Sequence, residues 1–293
     1  MVEAATRKAE VLIEALPYIQ RFRGAIVVVK LGGSAQEERQ HAEGILEDVT
    51  FMECVGMKPV VVHGGGKAIS RRMKERGIEP RFVRGLRVTC EASMQVVEQV
   101  INEEINPGLV AILERFGAPA ATLRGEDILT VQRKTETDPQ TGEVLDWGFV
   151  GEPGEVDVRP VLELIAQGRV PVVSPLGRDR EGRVHNVNAD QAAAALAGAL
   201  RARKLAYVTD VPGLLRNPED PDSILSTLKI SEVEELIAQG VIGGGMLPKV
   251  RSGVAALQAG VGKIHIIDGR MPHSLLLEIF TDKGVGTEIV WNE

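Results

Sequence analysis

Two lysines and three glycine-rich bends are the residues of this chain whose types and spacing could do chemistry. The central bend lies in residues 59–70, PVVVHGGGKAIS. Val60, Val61 and Val62 form a β-branched run bounded by a proline and by glycines, and so read as a buried strand. Gly64, Gly65 and Gly66 then let the backbone pass an anion with no Cβ in the way. The helix-compatible segment 67–76 would aim free N–H groups and the positive end of its dipole back at that loop. Residues 25–35, AIVVVKLGGSA, repeat this grammar, with Lys30 closing an apolar strand ahead of Gly32 and Gly33. Residues 241–250, VIGGGMLPKV, set Gly243, Gly244 and Gly245 before Lys249 and before Pro248, which suits a first helical turn. One bend alone reads as a turn and one lysine alone as a surface cation. Together they predict a polyphosphate site.

Phosphoryl transfer passes through a state whose negative charge sits on the transferred oxygens, so catalysis is mostly positioning and electrostatic stabilisation. Two lysines such as Lys30 and Lys249, approaching from the two sides of the transferred group with loop amides between them, would meet that need. A carboxylate has to hold such cations together, and Asp190, at a helix start, is the best-placed candidate. If the acceptor is itself a carboxylate, it is ionised at neutral pH and needs no general base. That fits a chain with only five histidines, of which His63, preceding the glycines, reads as structural. Neither GxxxxGK[ST] nor GxGxxG occurs.

The elements that must position these residues are ample. At 293 residues the chain exceeds one small core, and 44% hydrophobic and 26% charged residues place it among soluble globular proteins. A net charge of −7 argues against nucleic-acid and anionic-membrane partners. Cations nevertheless cluster over residues 67–87, as a solvated helix face from which Arg87 stands apart. Cys54 and Cys90 lack CxxC spacing and read as reduced thiols of a cytoplasmic protein. No signal peptide opens the chain and no apolar run approaches a membrane span.

Residues 5–20 carry Val11, Leu12, Ala15, Leu16 and Ile19 at helical spacing, with Pro17 breaking or kinking the end. This helix precedes the first strand and packs either on its own domain or against another subunit. From residue 25 strand and helix alternate: strands at 26–30 and 60–63, helices near 36–55, 67–76 and 91–116. Such alternation predicts a parallel sheet covered on both faces, with ligands at the carboxyl ends of its strands. Residues 128–150 read as a β-hairpin turning around Asp138, Pro139 and Gly142, either a flap or an ordinary surface hairpin. After a helix at 159–167 and another buried strand, Asn186, Asn188 and Asp190 alternate along an extended stretch. Asn188 or Asp190 can cap the alanine-rich helix that follows. Asp210 and a Pro212-Gly213 turn follow the next strand. Helices at 231–239, 248–259 and 273–281 and a strand at 263–269 lead to the end.

The motifs VVVKLGG, VVHGGGKAI, GLRVT, NVNADQAA, VTDVPGLL and GGGMLPKV, in this order, resemble those of the N-acetylglutamate kinases of the amino acid kinase superfamily. The likeness spans residues 8–290. It implies an α/β fold, a three-layer α/β/α sandwich around a mainly parallel eight-stranded sheet, with an extra N-terminal helix. It implies transfer of the ATP γ-phosphoryl group to the side-chain carboxylate of N-acetyl-L-glutamate, the second step of arginine biosynthesis, with Mg2+ arriving on ATP and no dedicated metal site. By the same resemblance Lys30 and Lys249 are transition-state lysines and Asp190 orients them. Gly65, Gly66, Arg87 and Asn186 bind the acceptor, Arg87 through its α-carboxylate. Gly33, Asp210, Gly213, Leu215 and Gly243 line the nucleotide pocket.

The terminal segments are similar to the arginine-inhibited branch. There the first helix interlaces dimers into a homohexamer, a trimer of dimers, and Tyr18, His265 and Glu278 match positions of the inhibitor site. The implied division is an oligomerisation helix at 1–24, an acceptor lobe at 25–200 and a nucleotide lobe at 201–293. A nitrogen-signalling protein is a further implied partner. Arg124-Gly125-Glu126 departs from the Ser-Gly-Lys of many relatives and bears on substrate affinity and acyl-group preference. Other readings are an aspartokinase or carrier-linked glutamate kinase, an arginine-sensing hexamer with little catalysis, and a dinucleotide-dependent oxidoreductase, which the missing GxGxxG disfavours.

Overall fold

The computed structural model describes residues 2–32, 39–138, 142–280 and 284–292. Its frame is an eight-stranded sheet made from the β-branched runs. Strands β1 (Ile26–Leu31), β2 (Lys58–His63), β5 (Ala120–Leu123), β8 (Val170–Val173), β11 (Lys204–Thr209), β12 (Thr227–Lys229), β13 (Lys263–Asp268) and β14 (Thr287–Val290) form it. Their spatial order is β12-β14-β13-β11-β1-β2-β8-β5. Pairing is parallel from β13 through β5. Only β14 meets its neighbour β13 antiparallel, and β12 runs with β14. The sheet is therefore mainly parallel, as expected.

Both faces are covered, which is why the central strands read as unbroken apolar runs. Val28, Val60, Val62, Leu205 and Tyr207 pack under α7 (Ala189–Ala199) and α9 (Met246–Gln258). Val27, Val29, Leu31, Val61, Ala206 and Val208 face α2 (Arg39–Cys54), α5 (Asn106–Phe116) and α10 (Ser274–Phe280). Alternate residues of one strand thus serve two cores, the arrangement of a three-layer α/β/α sandwich.

Beside the sheet, β6 (Leu129–Thr137), β7 (Val144–Val156), β9 (Leu176–Arg178) and β10 (Val184–Val187) close into a small barrel. Strands β6 and β7 are the expected hairpin, although Pro139 of its turn lies outside the described residues. A second hairpin, β3 (Phe82–Val83) and β4 (Leu86–Arg87), leans on the first. Trp147 donates its indole N–H to the Val83 carbonyl at 3.0 Å, and Arg84 pairs with Glu136 and, at 2.6 Å, with Asp138.

Three local expectations change. Helix α1 (Val2–Phe22) does not end at Pro17 but runs five residues further. The missing N–H costs one intrahelical bond, and the last turn is held by core contacts of Tyr18 and of Phe22, which is 4% exposed. Residues 91–116 form three pieces: α4 (Glu91–Glu98), a π-helical turn Gln99–Ile105, then α5. Pro107 supplies the cause, because an α-helix there would drive its ring into the carbonyl four residues back and a wider turn relieves the clash. Finally, the chain is extended only as far as Asn188, so Asp190 is already helical and does not continue the strand-like alternation of Asn186 and Asn188.

Leu205 is fully buried on the strand beside β1. Leu205→Ala is expected to lower unfolding free energy by about 2–5 kcal/mol, measured by urea denaturation with an unchanged m-value.

Candidate active site

Strands β1, β2 and β11 are adjacent and parallel, so their carboxyl ends open on one edge of the sheet. Lys30, near the end of β1, pairs in register with Val62 and Tyr207. Helix α7 crosses the same face, and Asn188 caps it by accepting the N–H groups of Asp190 at 2.9 Å and Gln191 at 3.2 Å. Capping by Asn188 releases the Asp190 carboxylate from that duty. Helix α9 brings Lys249 from the opposite side.

The three side chains meet. Lys30 Nζ lies 2.7 Å from Asp190 Oδ1, and Lys249 Nζ donates to Asp190 Oδ2 at 2.7 Å. Asp190 is only 8% exposed. Burial pushes its carboxyl up, but the two ammonium groups more than compensate and hold it below the usual carboxylate range. Burial pulls Lys249 below its ordinary value against the opposing pull of Asp190.

Tyr207 is a member of the site that sequence reasoning missed. Its fully buried ring lies 5.2 Å from Lys249 Nζ, and its hydroxyl donates to the Asp190 carbonyl at 3.3 Å. Burial, reinforced by the Asp190 charge, raises its phenol well above the ordinary value. In a sheet with two cores an aromatic in an apolar strand looks like packing. The only available signal was its place in the strand leading to Asp210.

At the second glycine bend, Gly64 donates its N–H to the Leu31 carbonyl at 3.1 Å, tying this bend to the first. Gly65 caps α3 (Gly66–Glu75). Arg87, 6% exposed, is held over this helix: Nη2 donates to the Gly66 carbonyl at 2.7 Å and to Ser70 Oγ at 2.8 Å. Its guanidinium sits 4.7 Å from the Phe82 ring centroid. Among the described residues it has no carboxylate partner, and burial lowers its pKa. Asn186 is half-buried on β10, two residues before the cap of α7.

Asp210 is exposed just past the end of β11. Gly213 is buried with φ +149°, and a Cβ there would fall 2.6 Å from Thr287 Oγ1, so glycine is required by close approach to β14. Leu215 is half-buried in a bridge with Ile224. Gly243 is exposed in the bend before α9. Gly33 lies outside the described residues. Beyond Asp190 a cavity of 1140 Å³ runs between α7, α9 and the β6–β7 hairpin, bordered by Arg84, Trp147, Gln191, Gly244 and Pro248. The hairpin borders the cleft, pinned by the Arg84 and Trp147 contacts. Among the described residues no group of three or more His, Cys, Asp or Glu side chains could hold a metal ion.

A second cavity of 550 Å³ lies elsewhere in the molecule, lined by Tyr18, Phe22, Lys204, His265, Glu278 and Gly284 among others. Glu278 Oε1 bonds His265 Nδ1 at 2.6 Å, while Oε2 accepts from the N–H groups of Val285 at 2.7 Å and Gly286 at 3.0 Å. Burial pushes the Glu278 carboxyl up, but the bond from His265 and the two backbone N–H groups outweigh it and hold it below its ordinary value. Lys204, stacked 4.9 Å from the Phe22 ring, is pulled by burial to about 8. Lys204 and Phe22 carry no sequence signal of their own, the one opening a strand and the other closing a helix.

A family model described as the amino acid kinase family matches residues 25–268. An acetylglutamate kinase of Carboxydothermus hydrogenoformans is 48% identical over 290 residues, covering 98% of this chain and 99% of the relative. A structure of N-acetylglutamate synthase from Neisseria gonorrhoeae complexed with coenzyme A and N-acetyl-glutamate superposes with TM-score 0.82 at 27% identity. It covers 96% of this chain and 63% of that one. The same synthase complexed with coenzyme A and L-arginine gives TM-score 0.78 at 28% identity, covering 94% and 64%.

His63 is fully buried, its Nδ1 2.9 Å from the Gly64 carbonyl, and burial lowers its pKa to about 4. The unfolded chain therefore takes up a proton near pH 6.5 that the folded chain refuses until about pH 4. Stability is undiminished above pH 6.5 and falls as pH drops through that window, by about 3 kcal/mol. Urea unfolding at pH 7 and pH 4 is expected to show that this part of the loss is absent in His63→Asn.

Proposed function

Because the chain belongs to the amino acid kinase family, and within it to the acetylglutamate kinases, we propose that it phosphorylates the side-chain carboxylate of N-acetyl-L-glutamate with ATP, in arginine biosynthesis and under feedback by arginine. The observation that carries the reading is the Lys30–Asp190–Lys249 bridge, with both contacts at 2.7 Å. A carboxylate oxygen of the acceptor attacks the γ-phosphorus. The bond to the β,γ-bridging oxygen breaks, and its electron pair leaves with ADP. No proton has to be removed from the acceptor.

The chain's own groups supply position and charge. Lys30 bears on the acceptor side of the transferred group and Lys249 on the donor side, and Asp190 fixes their separation. Amides of the bend at Gly65 and Gly66 face the reacting oxygens. Arg87, buried without a carboxylate partner among the described residues, receives the α-carboxylate, and Asn186 contacts the acceptor. Gly33, Asp210, Gly213, Leu215 and Gly243 border the nucleotide. Magnesium travels with ATP, neutralising phosphate oxygens. Both Asp190 oxygens are already taken by lysines, so this carboxylate serves the cations of the protein. In this reading residues 25–200 bind the acceptor and 201–293 the nucleotide.

Arginine occupies the cavity of Tyr18, His265 and Glu278, whose buried carboxylate suits a guanidinium. The apolar stripe of α1 supports assembly through that helix into a hexamer. Val11, Leu12 and Ile13 are 60–68% exposed, more apolar surface than a lone helix tolerates well.

A coupled assay offering N-acetylglutamate, glutamate and aspartate is expected to favour the first, and turnover confined to aspartate overturns the substrate. Lys249→Ala should lower kcat at least ~100-fold with little change in the ATP KM, since its contact strengthens in the transition state. Deleting residues 1–20 should reduce the native mass in light scattering and shift the arginine concentration for half-inhibition. Native mass with unaltered inhibition contradicts the regulatory part.

A further inference from the structure

The π-helical turn Gln99–Ile105 takes no part in the chemistry above, yet it packs directly against the glycine bend. A Cβ placed on Gly65 would lie 2.6 Å from Ile101 Cδ1 and 2.8 Å from Ile105 Cδ1. A Cβ on Gly66 would meet nothing within 4 Å. One side of the bend is therefore walled by two isoleucine tips while the next residue faces open space. Within this turn Asn106 N–H bonds the Ile101 carbonyl five residues back, and Ile101 and Ile105, one turn apart, lie on the face toward Gly65.

The turn is itself anchored on two sides. Toward α3, Arg72 reaches Glu104 through both nitrogens, at 2.7 and 3.1 Å, and Arg76 bonds Gln99. Ile69 and Met73 of α3 share a core with Val97, Val100 and Ile101. Toward the sheet, Asn106 Nδ2 donates to the Val172 carbonyl at 3.0 Å and Asn102 Nδ2 donates to Glu126 Oε1 at 2.7 Å. Glu126 is 6% exposed, and its Oε2, like Asn102 Oδ1, is buried without a partner among the described residues. Since α3 also holds Arg87 through the Gly66 carbonyl and Ser70, a shift of the turn moves both the bend and the buried guanidinium.

We propose that this π-helical turn positions the acceptor side of the site, with Ile101 and Ile105 as the positioning residues that press on Gly65 and the Asn102–Glu126 bond as the lock that keeps them there. The inference rests on the acceptor reading of Gly65, Gly66 and Arg87. Neither isoleucine touches substrate. Their effect falls on acceptor binding and leaves nucleotide binding alone.

The test uses the full chain. In the double variant Ile101→Val and Ile105→Val, which removes only the two Cδ1 atoms, KM for N-acetylglutamate should rise about fivefold while KM for ATP stays unchanged. Amide hydrogen exchange over residues 64–67 should quicken in the same protein, a readout that needs no substrate. Gly65→Ala in the wild-type background should weaken acceptor use, and the same change in the double variant should restore part of it, because space has been made for the Cβ. Two lesions that merely add would assign the isoleucines to the core alone and overturn the proposal. Should the double variant not fold, Glu126→Ala against Glu126→Gln decides. Glutamine keeps the accepted bond and offers an N–H to Asn102 Oδ1, so it should hold the wild-type KM and exchange rate, whereas alanine should raise both. Equal behaviour of the two variants overturns the lock. Inactivity of the wild-type protein toward N-acetylglutamate, with the exchange effects present, sinks the substrate reading and leaves the positioning role standing.

Discussion

Two ammonium groups share one buried carboxylate, and the rest of the fold exists to make that possible. Two like charges brought together in a protein repel. Asp190 offsets that cost by pairing with one lysine at each oxygen. Its place in the first turn of α7 adds the favourable end of a helix dipole. The triad carries a net single positive charge inside a low-dielectric wall, where charge acts most strongly on phosphate oxygens. A buried pair with one cation would be neutral, and two cations without the aspartate would drive each other out to solvent.

Holding three side chains from three distant stretches demands rigid carriers. Lys30 comes from a central strand, Asp190 from the start of a helix lying on that strand, and Lys249 from a second helix packed against the first. The small alanines of α7 let the helices approach the sheet and each other closely. Tyr207 occupies the remaining corner, stacked near Lys249 and bonded to the Asp190 backbone. Its fully buried ring forms part of the sheet face on which the triad rests, an apolar wall beside Lys249.

Most of this frame is legible in the sequence, for a physical reason. Parallel strands buried on both faces must be β-branched runs, and loops that admit anions must be glycine, so both leave marks that survive without coordinates. Lys30 and Lys249 were readable because each stands beside such a loop. The division of labour between Asn188 and Asp190 was not, since either residue caps a helix equally well on local grounds and only the approach of two lysines settles which one is free. Pro17 misled because a proline's local cost is visible while the core contacts of Tyr18 and Phe22 that outweigh it are not. Pro107 was visible too, but its consequence is a change of helix type, which depends on what the neighbouring turn packs against.

Strand β11 links the Glu278 cavity to the lysine–aspartate triad. Lys204 opens it and lines the cavity of Glu278, Tyr207 sits at the triad, and Asp210 follows its far end. At 3.3 Å per residue the first and last of these are separated by roughly 20 Å. Lys204 shares its face of the strand with Ala206 and Val208, and Tyr207 stands on the other, so the Glu278 cavity and the triad contact opposite faces of one buried strand. A strand hydrogen-bonded on both sides does not bend to carry a signal. In the proposed arginine reading, a ligand in the Glu278 cavity would act by moving packed bodies as wholes, and α10 is the piece placed to do it. It carries Glu278 and touches α1. It also rests on α2, the helix after the first glycine bend, where Asp48 of α2 accepts a 2.7 Å bond from His273 and Phe51 meets Phe280 edge to face. In that reading, a ligand that draws on Glu278 would bear on α1 and α2 through the packing of α10.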